Sequence, residues 1–307
     1  MSTRWRGFIP YLILVVPPLC WAGNFIVGRA VHGDLPPVAL TFWRWVVAAA
    51  VLAPFAATGL WRRRTDVRPC LGRIALLAFT GVALFQYAVY QGLHTTTAIT
   101  GTLIIATIPI VIPIFAYLLD GSRVSLPQAT GIAVSLAGVA IIILKGDIGA
   151  IAGFAFSPGD LWMIVAVVAW SLYSVLIRKR PADLPPAQFL FAIILVGLAL
   201  LAPAYAWEIL TVGGFRLTTA AVLAIGYVGV FASVIAFICW NEGIARVGAA
   251  RAGLFIHLMP VFATGLAMLF LGERLHRYHA AGMVLVAGGL ALSSLTRAQP
   301  SPDARSR

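Results

Sequence analysis

The chain has 307 residues, 61% hydrophobic and only 10% charged, with a formal net charge of +12. A water-soluble domain carries about 25% charged residues, so this chain lacks the polar surface to cover a soluble particle. The basic excess does not point to nucleic acid, because the arginines sit in loops and tails between apolar runs.

Ten apolar segments follow in chain order, at 8–29, 38–58, 73–93, 98–119, 127–144, 159–178, 187–207, 218–242, 250–271 and 278–296. They are too long and too uniformly apolar for barrel strands, which alternate. Lipid leaves no partner for an open backbone, so each run is expected to be a helix. The expected fold is an all-α membrane protein with ten transmembrane helices. The first run follows Arg4 and Arg6 as a secretory signal would, but it is too long and lacks a small-residue cleavage site, so it reads as the first span.

The chain repeats itself. Trp21 and Trp170, Arg29 and Arg178, and Pro54 and Pro203 share one offset with Asp34-Leu35-Pro36-Pro37 and Asp183-Leu184-Pro185-Pro186. Gly92 and Gly243, Pro109 and Pro260, Gly131 and Gly282, and Gly138 and Gly289 share a second, slightly larger offset. Two copies of one unit follow, 1–145 and 146–297, with 298–307 as a polar tail. Each copy holds an odd number of spans, so the second enters the membrane from the other side.

Charge agrees. With the N-terminus inside, the inside segments carry Arg62, Arg63, Arg64, Arg68, Arg73, Arg123, Arg178, Lys179, Arg180, Arg246 and Arg251 besides both tails. The outside segments carry only Arg29, Lys145, Arg216, Arg274 and Arg277. This places both termini in the cytoplasm and makes the two five-helix repeats inverted.

Arg44 lies inside the second span. Charge there costs about 2.5–3.5 kcal/mol, so it is either an anchor for a carboxylate or phosphate or a side chain that snorkels between Trp43 and Trp45. Trp21 and Asn24 share a helix face, as do their counterparts Trp170 and Tyr173. They form either the wall of a central cavity or ordinary packing. Tyr87, Tyr90, Gln91 and His94 make a polar-aromatic stripe, matched by Ser233, Phe237, Trp240 and Asn241 in the equivalent helix. Trp240 has a second reading as an interfacial anchor. His257, at mid-span, is a substrate ligand, a proton carrier or a bonded structural histidine. Pro109 and Pro260, at equivalent positions, are candidate gating hinges.

No phosphate-binding loop, nucleophile elbow or zinc-protease motif appears, and no acidic residue lies at mid-span. The expectations are therefore no cofactor, no catalytic residues and facilitated or weakly coupled transport. His276 and His279 lack further ligands for a metal, and Cys20, Cys70 and Cys239 suggest no disulfide framework.

Ten helices in two units, Trp21-x-x-Asn24 before Arg29, an arginine in the second span, and Gly272-Glu273 followed by Gly282 and Gly289 together resemble EamA-type members of the drug/metabolite transporter superfamily. Ser122 departs from the pattern, standing where the second copy has Glu273. The resemblance implies a metabolite exporter of a bacterial inner membrane, with amino acids, aromatic ones included, as the substrate class. It also implies that 127–144 and 278–296 are peripheral helices. The expected partners are a small-molecule substrate and the lipid bilayer, with a homodimer as a candidate assembly and no nucleic acid. In this reading Arg44 takes a carboxylate, and aromatic faces, hydroxyls and Asn24 meet an ammonium. Efflux of cationic drugs and a non-transport receptor or enzyme are the alternatives.

Overall fold

Proline and serine punctuate the apolar runs, and helices begin where they stand. The structure, a computed structural model, describes residues 3–31, 35–93, 95–96, 98–147, 149, 157–179, 184–271 and 275–294. His94, the Gly272–Glu273 pair, Arg180 and the tail 298–307 lie outside the described residues, as do the side chains of Arg29 and Tyr90. Among the described residues ten helical stretches emerge: α1 (Thr3–Ala30), α2 (Pro37–Arg62), α3 (64–93), α4 (98–120), α5 (Leu126–Ile143), α6 (Pro158–Lys179), α7 (Pro186–Val212), α8 (Thr219–Val247), α9 (249–271) and α10 (Arg277–Ser294). No strand occurs among the described residues. Eight of these helices are long and apolar enough to cross a membrane, and α1 contributes a shorter apolar stretch, Ile9–Asn24. The eight do not include α10, which opens on Arg277, Tyr278 and His279.

The repeated Pro-Pro pair opens α2 and α7 in the same way. Pro36 and Pro185 are extended N-caps, and Pro37 and Pro186 take the first helical position, where no amide bond is lost. Amides of the first turn of α2 find a partner in α7. The Glu208 carboxylate accepts from Val38 N at 3.0 Å and Ala39 N at 2.7 Å. At the same end of the bundle as this cap, helix α6 starts on a capping box. There Asp160 Oδ2 accepts from Ser157 N at 2.7 Å, and Thr96 donates to Oδ1.

The opposite end is tied by charge. Lys179 Nζ lies 2.8 Å and Arg178 Nη1 3.5 Å from the Asp120 carboxylate, and Arg73 donates to the Lys179 carbonyl. The basic start of α3, the end of α4 and the end of α6 therefore share one face of the molecule.

Both candidate hinge prolines follow a break. Helix α4 is interrupted at residues 106–107, ahead of Pro109, and α9 tightens into a 3-10 turn at Phe255–His257, ahead of Pro260. Ile110 N bonds the Thr107 carbonyl at 2.9 Å rather than Ala106 O four residues back. His257 Nε2 donates to that released carbonyl at 2.9 Å, and its Nδ1 accepts from the Ser135 hydroxyl.

Helices α5 and α10 pack on small residues. A Cβ on Gly131 would meet Gly289 O at 2.6 Å, and one on Gly138 would meet Gly282 O at 2.6 Å. Such contact requires glycine and brings the backbones close enough for strong dispersion. Helices α3 and α8 each contain a π-helical segment, Ala78–Leu84 and Val228–Ile235. The outer surface is apolar: Phe55, Leu126, Leu210 and Leu269 are each 78% exposed or more. Water would penalise such a surface, whereas lipid does not.

Candidate functional site

The π segment of α8 is where the buried arginine lands. A π turn widens the helix and re-aims its carbonyls. Arg44 Nε donates to Ser233 Oγ at 2.8 Å, and Nη2 donates to Ala232 O at 3.3 Å. Ser233 is positioned by donating in turn to Val228 O, 2.9 Å away within the same segment. Trp21 Nε1, from α1, donates to the same Ala232 carbonyl at 3.1 Å. Arg44 is 0% exposed, and its guanidinium carbon lies 5.3 Å from the Trp45 ring centre. It does not snorkel; it points into the bundle.

Trp21 continues into an aromatic cluster drawn from α1, α6 and α8. Its ring meets Trp170 edge-on at 5.1 Å and Trp240 at 5.4 Å. Trp170 stacks on Tyr173 at 5.3 Å and lies 4.8 Å from Phe85. Phe237 fills the space between Trp45, Trp170 and Tyr173. The polar tips are bonded: Tyr173 OH donates to Asn241 Oδ1 at 3.0 Å, and Trp240 Nε1 donates to Ser174 Oγ at 3.3 Å. Trp170, Tyr173, Trp240 and Phe237 are all buried, so the cluster is sealed in this conformation. Trp240 is not an interfacial anchor.

Eight of the residues singled out in the sequence are thus gathered around one centre: Trp21, Arg44, Trp170, Tyr173, Ser233, Phe237, Trp240 and Asn241. Asn24 lies one turn beyond Trp21 on α1, and its amide oxygen is buried without a hydrogen-bond partner among the described residues. Of the α3 stripe, Tyr87 and Gln91 do not join them. Tyr87 is 38% exposed and meets Trp162 edge-on at 5.5 Å, and Gln91 is exposed. His257 also stands apart, with both ring nitrogens bonded within the α4–α5–α9 contact. Pro109 is buried in α4 and Pro260 half-buried in α9.

Three features escape sequence reasoning: the Ala232 carbonyl, Ser174 and the Glu208 cap. No side-chain pattern marks a π turn, so nothing signals which carbonyl it re-aims. The chemistry of the centre is still readable. A guanidinium suits an anion, the ring faces suit apolar or cationic groups, and the amides supply acceptors.

The chain matches the EamA-like transporter family twice, over residues 8–144 and 157–295. An uncharacterized transporter of Bacillus subtilis, YyaM, is 26% identical, covering 92% of this chain and 93% of its own. A probable terminal-alkyne amino-acid exporter of Streptantibioticus cattleyicolor is 28% identical over 85% of this chain and 84% of its own. A probable amino-acid metabolite efflux pump of Salmonella typhimurium is 23% identical over 94% of each chain. A crystal structure 25% identical in sequence superposes with a TM-score of 0.76, covering 93% of this chain and 96% of the other. Family, relatives and apolar helices together point to a multi-pass membrane transporter: the chain belongs to the EamA-like transporter family.

Proposed function

We propose that the chain is a secondary transporter that exports small amphiphilic metabolites, amino acids including aromatic ones, by alternating access around the aromatic cluster. The observation that carries this is the meeting of Arg44 and Trp21 on the Ala232 carbonyl, beside the rings of Trp170 and Trp240. Substrate carboxylate replaces Ala232 O as a partner of Arg44, and Trp21 keeps that carbonyl satisfied. The substrate side chain lies among the rings, with Tyr173 and Asn241 closing the wall. Tyr87 and Gln91 line the approach. The names of the Streptantibioticus and Salmonella relatives support an amino-acid class of substrate.

Ten membrane helices in two inverted repeats, 1–145 and 146–297, belong to the same proposal. Reciprocal contacts support it. Gly131 meets Gly289 and Gly138 meets Gly282, so exchanging the copies turns each contact into the other. Likewise Gly92 lies against Met163 and Gly243 against Leu14, and the two π segments recur at matching places. Pro109 and Pro260 then serve as the paired hinges. The charge of the face carrying Arg73, Arg178 and Lys179 supports a cytoplasmic assignment of that face, and with it both termini on the cytoplasmic side of a bacterial inner membrane.

Uptake of labelled phenylalanine and leucine by proteoliposomes holding the full chain tests the reading. Saturable uptake above protein-free vesicles is expected; uptake equal to theirs for every amino acid tried overturns it.

A further inference from the structure

The π-bonded arginine explains how an acid group is held, but a zwitterion has a second charge. In the core around the cluster, one amide oxygen stands idle among the described residues. Asn24 Oδ1 is buried and bonds nothing among the described residues. The residue lies mid-helix on α1, three positions after Trp21, on the face that presents Trp21 to Trp170 and Trp240. Its equivalent in the second copy, Tyr173, is fully engaged with Asn241. An amide carbonyl can accept two hydrogen bonds, and a buried one left without any is costly, more so where water is excluded. A leucine there would pack as well and carry no such cost. The position keeps a polar atom that folding does not use.

We infer that Asn24 Oδ1 is the acceptor for the substrate ammonium and selects amine-bearing aromatic solutes over the corresponding acids. The inference rests on the export reading above, and it narrows the several ammonium contacts expected from the sequence to one hydrogen-bond acceptor that sets selectivity. An ammonium donates up to three hydrogen bonds. One goes to Asn24, while the ring faces of Trp21 and its neighbours attract the remaining charge. Arg44 takes the carboxylate at the far side of Trp21. Solutes lacking nitrogen leave Asn24 Oδ1 unsatisfied and bind less well, as sites built around a hydrogen bond discriminate strongly against ligands that lack it.

Calorimetric titration of the purified full-length chain in detergent with L-phenylalanine, 3-phenylpropionate and phenethylamine separates the possibilities. The wild type is expected to favour phenylalanine over 3-phenylpropionate by about tenfold or more. Asn24→Leu is expected to lose that preference, weakening phenylalanine and phenethylamine alike and leaving 3-phenylpropionate unchanged. Its thermal midpoint should not fall, because no internal bond is removed; a lower midpoint would mark Asn24 as structural and overturn the inference. Asn24→Asp, which keeps an acceptor, should restore amine binding. Wild-type binding of phenylalanine with no change in Asn24→Leu sinks the ammonium acceptor but leaves the export reading intact. A wild type that binds phenethylamine alone, with loss in Asn24→Leu, keeps the acceptor and sinks the amino-acid reading. No binding of any of the three sinks both.

Discussion

His257 Nε2 donates to Ala106 O at 2.9 Å across 151 positions, the same spacing that separates Pro109 from Pro260. The bond joins the break in α4 to the break in α9, and Ser135 holds the ring from the other side. His257→Leu would strand the Ala106 carbonyl inside the bundle, a loss of about 1–3 kcal/mol. A lower thermal midpoint in detergent is expected, with substrate affinity of the folded fraction unchanged. Weakened affinity at unchanged stability would return His257 to the substrate site.

Arg44 reaches Ser233 and Ala232 from two nitrogens of one planar group. Lysine keeps the charge but not the fork. Arg44→Lys is expected to weaken phenylalanine binding by about tenfold, and Arg44→Leu by more, on the scale of charge-assisted hydrogen bonds. Equal affinity in all three folded proteins would remove Arg44 from the carboxylate site.

Neighbouring glycines on α10 should respond in opposite directions. A Cβ at Gly289 would meet Gly131 O at 2.5 Å, whereas one at Gly288 would meet nothing within 4 Å. Gly289→Ala therefore overpacks the α5–α10 contact and is expected to cost about 1–3 kcal/mol. Gly288→Ala gains helix propensity of up to about 1 kcal/mol. Thermal melts of the two variants read the difference, and equal midpoints would mean that these helices do not approach so closely.

Two carboxylates at opposite ends of the bundle differ in worth. Glu208 is 9% exposed and accepts from two amides at the start of α2. Its replacement by alanine is expected to cost about 1–2 kcal/mol, as for other lost caps. Asp120 pairs with Arg178 and Lys179, whose side chains are 32% and 44% exposed. Asp120→Asn should change stability by less than about 1 kcal/mol. A larger loss in Asp120→Asn than in Glu208→Ala would invert this ranking.

The helices were largely legible because membrane spans announce themselves by composition. Their ends were less so. The run expected at 73–93 is preceded by a helical stretch from residue 64, since the basic residues Arg64 to Arg73 keep helical bonding. The run expected at 187–207 continues to Val212, past its polar edge at Glu208. Polarity marks the edge of the lipid, not the end of a helix. The matched Trp21 and Trp170 were readable as one centre because the duplication fixes equivalent positions. The Ala232 carbonyl that Arg44 reaches was not, because it depends on which carbonyl a π turn re-aims. Ser135 gave no sign of its role, lying 122 residues from the histidine it bonds.

The most direct test of alternating access around a carboxylate-and-ring site is counterflow. Proteoliposomes preloaded with unlabelled phenylalanine are diluted into a trace of labelled phenylalanine, without ATP or ion gradients. A transient overshoot of internal label is expected, abolished in Arg44→Leu. Label that only creeps to equilibrium in the wild type, or an overshoot undiminished in the variant, would contradict the account.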